Sequence, residues 1–300
     1  MKILITGAGG FVGQALLDYL SAKESQNEVF LLTSKPISGY RCIMHNNYSY
    51  DTEDIPEEVD CVLHLGGFIP KNTSDVNDAL KHAETVLNTQ YLLDHLPKPP
   101  QKIVYCSSVE VYGRSHHQEV ITENSRIQIG DLYSAAKLMC ERLIEKYAQT
   151  HRISYHILRL GPIFGPNDKR KNCFLPGILY QAMEQQQIVI SVPPQTKRNY
   201  LYVGDAVRAI WAAVHRDSNT PHLFNIVSQK NASFLETVET AIAVTNGTGG
   251  YICQANETAT PIDMAFDNQR MNSYLCSEEE SLYTGLQKTY MSIKGAGDFK

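Results

Sequence analysis

The chain lacks the features that mark several common fates. No basic run exceeds Lys169-Arg170-Lys171, and the 300 residues carry a formal net charge of −5. Nucleic acid, which needs a concentrated positive surface, is therefore not an expected partner. No apolar stretch approaches the ~18 residues of a membrane-spanning helix, so no membrane partner is expected either. The seven cysteines show no C-x-x-C spacing, which removes the usual redox and zinc patterns. Cys61 and Cys106 fall in apolar runs and read as reduced, buried thiols. The adjacent pair His116-His117 lies in a polar stretch without an acidic or Cys partner at ligand spacing, and no metal is expected. The N-terminus enters a strand pattern at once, with no stretch that reads as a signal peptide. A cytoplasmic protein is the expectation.

What the chain does have is an alternation of strands and helices. With 43% hydrophobic residues it can bury a large core. Strand-like runs at 3–6, 29–33, 61–65, 103–107 and 154–160 are separated by helical patterns that include 14–22, 79–95 and 133–151. Such alternation predicts a parallel sheet covered on both faces, with right-handed crossovers. The polar stretch 39–56 takes no clear assignment. The rhythm breaks at 166–172, is followed by a helix candidate at 174–185 and a strand candidate at 188–192, and resumes at 200–214.

Two short patterns carry chemistry. In the first, Gly7, Gly9, Gly10 and Gly13 fall between the first strand and the first helix. Glycines there allow a tight turn, close backbone approach to a pyrophosphate, and close helix–strand packing, with the phosphates at the helix N-terminus. In the second, Tyr133 and Lys137 stand four apart on a helical face. A cation beside a phenol favours the phenolate, so such a tyrosine can exchange a proton near neutral pH. That is the requirement when hydride moves to or from a carbon bearing an alcohol or ketone.

Five motifs occur in order: TGAGGFVG from Thr6 to Gly13, SSVEVYG from Ser107 to Gly113, Tyr133-x-x-x-Lys137, RLGPIFGP from Arg159 to Pro166, and RNYLYVGD from Arg198 to Asp205. Over residues 1 to about 215 the chain resembles the extended short-chain dehydrogenase/reductase family, in its nucleotide-sugar epimerase/dehydratase branch. The resemblance implies an α/β, Rossmann-type doubly wound parallel sheet with a smaller C-terminal substrate-binding lobe. Residues 1–165 plus about 197–215 would form the dinucleotide-binding domain. Residues 166–196 plus about 216–300 would form the nucleotide-sugar-binding lobe. A homodimer pairing two helices per subunit is implied too, with Leu138, Leu143 and Ile144 as residues that serve either that face or the core.

The resemblance also assigns roles. Ser108 would hold the substrate oxygen, Tyr133 would be the acid/base, and Lys137 would lower its pKa and bind the cofactor ribose. Gly7, Gly9, Gly10, Phe11, Val12 and Gly13 would cradle the dinucleotide. Leu65, Gly66 and Gly67 would line it, and Pro162 and Ile163 would flank the nicotinamide. Arg198 would pair with the substrate diphosphate, while Asn172 and Phe174 would contact sugar or base. Glu110 is either a substrate-site carboxylate or a structural one. The dehydratases of this branch place an acid before that Glu, where this chain has Val109. The decarboxylases place an Arg where it has Asn167.

The end of the second strand reads Thr33-Ser34-Lys35, without the carboxylate that binds ribose hydroxyls in NAD users. Two hydroxyls and an ammonium suit a ribose phosphate, which favours NADP, with NAD as the alternative. The expected reaction is NADPH-dependent reduction of the keto group of a nucleoside-diphosphate 4-keto-6-deoxy sugar. The alternative is a nucleotide-sugar 4-epimerase with tightly bound NAD.

Overall fold

The computed structural model describes residues 1–23, 27–46, 49–50, 54–72, 74–113, 120–168, 170–171, 173–217, 219–254 and 263–295. The strands are β1 (Lys2–Thr6), β2 (Glu28–Thr33), β3 (Arg41–Asn46), β4 (Ser49–Tyr50), β5 (Cys61–His64), β6 (Lys102–Ser108), the short β7 (Val120–Ile121) and β8 (Ser154–Leu160), followed by further short strands. The central sheet runs in the order Leu223–Ile226, β8, β6, β5, β1, β2, β3, β4. Its first seven strands are parallel, and β4 pairs antiparallel with β3 at the edge. Every residue of β5 is buried, as are Ile3 to Thr6 of β1. Strands with helices on both faces need apolar residues on both, which is why these read as continuous hydrophobic runs.

The pleat sends successive side chains to opposite layers. Ile3 and Ile5 join one core with Leu16 and Leu20 of α1 (Phe11–Ser21). Leu4 joins the other with Leu92 of α2 (Ala79–Asp94) and Ile144 of α3 (Leu132–His151). Helix α3 starts at a capping box, in which Asp131 accepts from the Ser134 N–H at 2.7 Å and the Asp131 N–H donates to Ser134 Oγ. Two N–H groups at the start of the helix are thereby satisfied, one residue either side of Leu132 and Tyr133.

A second core belongs to α4 (Phe174–Met183), α6 (Phe234–Thr245) and α8 (Leu282–Gly295), with Leu179, Ile188, Val238 and Leu286 at its centre. Helix α5 (Val203–His215) packs on the first core. The expected placement of 216–300 in the lobe differs from what is observed. The strand Leu223–Ile226 completes the main sheet, and Met271 of α7 (Gln269–Tyr274) packs under it. Phe224 and Ile226 are fully buried there, an apolar demand that the small lobe does not meet. The unassigned stretch 39–56 supplies β3 and β4.

The chain leaves β1 toward β2 on one side and later returns to β5 on the other. Strand order thus reverses at the carboxyl ends of β1 and β5, where open α/β sheets bind ligands.

Candidate active site

The glycine loop is shaped by steric limits. Gly7 has φ +72, and a Cβ there would lie 2.6 Å from the Gly66 nitrogen. A Cβ on Gly13 would lie 2.4 Å from the Gly7 carbonyl oxygen, which keeps α1 tight against the loop. A Cβ on Gly9 would meet open space, so no packing demands a glycine there. Gly10 caps α1 with no side-chain acceptor, and no acidic residue occupies the first turn. The N–H groups of Phe11 and Val12 thus begin a helix whose end charge is not balanced from within.

A buried chain of hydrogen bonds holds this loop to β5. The Gly66 N–H donates to Thr6 Oγ1, which lies 2.6 Å from His64 Nδ1, and His64 Nε2 lies 3.0 Å from Thr89 Oγ1. Thr89 donates onward to the Thr85 carbonyl, so its oxygen accepts from Nε2–H, and Nδ1 accepts from Thr6. The network fits only a neutral imidazole, and burial, aided by the charge of Lys137, pushes His64 down to about 3.

Ser108 ends β6, where its Oγ accepts from the Glu110 N–H at 3.2 Å. Tyr133 enters from the first turn of α3. The residue is half-buried, yet desolvation of its phenol dominates and pushes it up to about 12. A hydrogen bond with Ser108 and the charge of Arg170 act the other way, while Glu110 and Asp131 add to the rise. This corrects the expectation that Lys137 lowers the phenol. The Lys137 ammonium is buried, donates to the Cys106 carbonyl at 3.0 Å and lies over the Tyr105 ring. Burial lowers its own pKa, and it is not among the chief groups acting on Tyr133. The ammonium does face the crevice floor, 3.5 Å from where a Gly67 Cβ would stand.

Behind the serines sits a buried ion pair. Arg159 Nε and Nη2 donate to the two Glu141 oxygens at 2.9 and 2.7 Å, and Ser107 Oγ donates to Glu141 at 2.5 Å. The pair ties α3, β6 and β8 together one layer below Ser108. Glu110 is brought close enough to Tyr133 to act on it electrostatically. Pro162 and Ile163 follow β8, and the Ile163 carbonyl accepts from Arg170 at 2.8 Å. At the end of β2, the Thr33 hydroxyl donates to the Lys35 carbonyl and accepts from its N–H, while Ser34 and Lys35 are exposed.

In the lobe, Phe174 and Phe234 meet with ring centroids 4.1 Å apart, and Arg198 lies over the other ring of that pair, Phe234. A cavity of about 240 Å³ opens beside them, lined also by Lys171, Gln181, Val189 and Ser191. Phe174 and Arg198 thus both pack on Phe234, whereas Asn172 and the His116-His117 pair lie outside the described residues. Among the described residues, no group of three His, Cys, Asp or Glu side chains could hold a metal. No helix there is long and apolar enough to cross a membrane.

Four residues at the site went unassigned from sequence. Glu141 was detectable as a carboxylate one turn beyond Lys137, facing an arginine set inside the apolar run of β8. His82, packed between Phe68 and Tyr133 with centroids 5.4 and 5.9 Å away, gave no comparable signal. Neither did His64, one residue of an apolar strand, nor Arg170, one cation in a polar loop.

A glycine-rich βα turn after β1, with Ser108 at the end of β6 and Tyr133 and Lys137 on α3, is the arrangement of a Rossmann-type enzyme of the short-chain dehydrogenase/reductase kind. Residues 3–227 match the model of the NAD dependent epimerase/dehydratase family, and the chain belongs to that family. It is 26% identical over 271 residues to dTDP-D-glucose 4,6-dehydratase of Dictyostelium discoideum, covering 81% of this chain and 62% of that protein. It is 27% identical over 256 residues to the uncharacterized UDP-glucose epimerase YtcB of Bacillus subtilis, covering 79% and 80%. In fold it is similar to the UDP-glucuronic acid 4-epimerase of Bacillus cereus, solved with UDP-glucuronic acid and NAD, at TM-score 0.84, 23% identity, and 99% and 100% coverage. The UDP-glucose 4-epimerase of Thermotoga maritima superposes at TM-score 0.83 with 20% identity, covering 99% of both chains.

Proposed function

We propose that this chain interconverts C4 epimers of a nucleoside-diphosphate hexose, using NAD as a resident hydride carrier. The observation that carries the reading is the meeting of Ser108 and Tyr133 beside the glycine loop, with the Lys137 ammonium anchored under Gly67. Ser108 holds the sugar oxygen at C4. Tyr133 takes that hydroxyl's proton as the carbon is oxidised and returns it when the carbon is reduced on its other face. Lys137 holds the ribose hydroxyls of the dinucleotide. Arg198 pairs with the substrate diphosphate, and the nucleotide lies along the Phe174–Phe234 cavity. NAD, when bound, would supply the hydride acceptor and, in its oxidised form, a positive charge. A phenol held at about 12 keeps its proton until such a charge arrives.

Val109 and Asn167, in place of the acid and the Arg of the dehydratases and decarboxylases, weigh against both of those reactions. The second reading is NADPH-dependent reduction of a 4-keto sugar, favoured by the missing carboxylate at Thr33-Ser34-Lys35. Against it, the Thr33 hydroxyl already has both its bonds within its own turn, leaving only Ser34 and Lys35 for a ribose phosphate.

The dimer reading moves to other residues. Ile144 is in the core with Leu143 partly buried against it, and Leu138 is partly buried against a separate cluster around Val111 and Tyr112. Leu80 and Leu87 of α2 and Leu132 and Met139 of α3, each pair seven residues apart, are 78%, 57%, 40% and 57% exposed. These suit a helix-pair interface with a second copy. The test of the cofactor assignment is to unfold purified protein and identify the released dinucleotide by chromatography. Stoichiometric NAD supports the epimerase; an empty protein that binds NADPH from solution favours the reductase.

A further inference from the structure

The glycine loop contains no basic residue from Gly7 to Gly13, yet a dinucleotide brings two negative phosphates to it. Helix-end N–H groups supply only partial charge. One described cation stands over this loop from outside it. Arg170, in the segment that leads from the sheet into the lobe, lies with its guanidinium 5.1 Å from the Phe11 ring, at the first residue of α1. It is held there by a built support. Asp168, whose side chain is 1% exposed, accepts from Arg170 Nε at 2.7 Å and from Nη2 at 2.6 Å, and Nη2 also reaches the Ile163 carbonyl. The Arg170 side chain itself remains 32% exposed, and Nη1 has no hydrogen-bond partner among the described residues. The same guanidinium acts electrostatically on Tyr133, so it lies on the crevice between the loop and the acid/base rather than on an outer surface.

We propose that Arg170 is a dinucleotide-binding residue: its free edge pairs with the pyrophosphate at the glycine loop, and Asp168 is the counter-ion that orients it. The inference rests on the dinucleotide reading above and adds a residue to it. A planar fork fixed along one edge by a buried carboxylate presents its remaining donors with little entropy left to lose. The arrangement also links the lobe's entry segment to the cofactor loop, so binding of the dinucleotide would fasten that segment.

The shared chemistry is a diphosphate, which a dinucleotide and a nucleotide sugar both carry, so the test has two arms. Calorimetric titration of the full chain, first freed of any resident dinucleotide, with ADP-ribose and with UDP is compared for the unaltered protein, R170Q and R170K. Loss of a charge-assisted bond should weaken ADP-ribose by roughly 10- to 100-fold in R170Q. R170K should recover part of that, R170Q should show a shallower dependence on salt, and UDP should change less than twofold in both variants. Unchanged ADP-ribose affinity in R170Q overturns the proposal. So does a loss shared equally by UDP, which marks a structural role, or a loss confined to UDP, which moves Arg170 to the substrate. Should R170Q fold poorly in thermal melts without ligand, R170K decides, because the proposal requires it to bind ADP-ribose more weakly than the unaltered chain with UDP unchanged. If the unaltered protein binds neither ADP-ribose nor NAD, the dinucleotide reading itself fails.

Discussion

Replacing Glu141 with Gln tests how the serine end of the site is held in place. Glu141 and Arg159 are 1% and 2% exposed, and their two bonds place the carboxylate against the forked edge of Arg159. Gln keeps an acceptor for Ser107 but removes the charge, leaving a guanidinium buried beside the Tyr112 ring, 4.8 Å away. Breaking one side of such a pair costs about 3–5 kcal/mol, because the surviving charge has lost its solvation and its partner. Replacing both members with apolar side chains of similar length avoids that penalty. The double variant E141L/R159M should therefore be less destabilised than either E141Q or R159M alone. Urea unfolding at neutral pH, followed by far-UV circular dichroism, measures all three. A cost below about 1 kcal/mol for E141Q, or a double variant more destabilised than E141Q and R159M, would refute the reasoning.

Further expectations concern acid stability and assembly. His64 is neutral in the fold and reaches its charged form only near 3, whereas the unfolded chain protonates near 6.5. Between these values the unfolded state binds the extra proton, so stability should fall as pH drops through that window, by about 1.4 kcal/mol per unit from this group. His64→Gln should flatten the slope between pH 6.5 and 5; an unaltered slope would contradict a buried neutral imidazole. Leu87→Glu combined with Met139→Glu puts two charges on the exposed α2–α3 face. Sedimentation velocity should report a dimer for the unaltered chain and a monomer for the variant, with the far-UV spectrum unchanged; equal sedimentation of the two would contradict this interface.

How much of this was legible in the sequence depends on what each feature needs. The strands of the central sheet, buried on both faces, are nearly continuous apolar runs, so β1, β2, β5, β6 and β8 could be placed within a residue or two. The glycine loop could be placed because steric exclusion at Gly7 and Gly13 admits no other residue. The strand Leu223–Ile226 was assigned to the wrong unit, since a four-residue run carries no sign of which sheet it joins. The Tyr133–Lys137 spacing identified the helix face correctly but not the electrostatics. Helical spacing sets which residues share a face; it says nothing of a carbonyl such as that of Cys106 competing for the ammonium, nor of how dry the phenol is. Arg170 reaches the crevice through a loop, where sequence distance from Phe11 and Tyr133 conceals spatial nearness.

The central claim is that Tyr133 passes a proton to and from the C4 oxygen of a nucleotide-linked hexose while a resident dinucleotide carries the hydride. It is tested most directly by incubating the purified chain, without added cofactor, with UDP-glucose, UDP-glucuronic acid and UDP-N-acetylglucosamine and following the C4 configuration by proton NMR. The account predicts that at least one sugar approaches a mixture of both epimers with no net consumption of dinucleotide. It also predicts that Tyr133→Phe slows this by about 100-fold or more while retaining the bound cofactor. Equal turnover in Tyr133→Phe, or an unchanged C4 configuration in all three sugars, would contradict it.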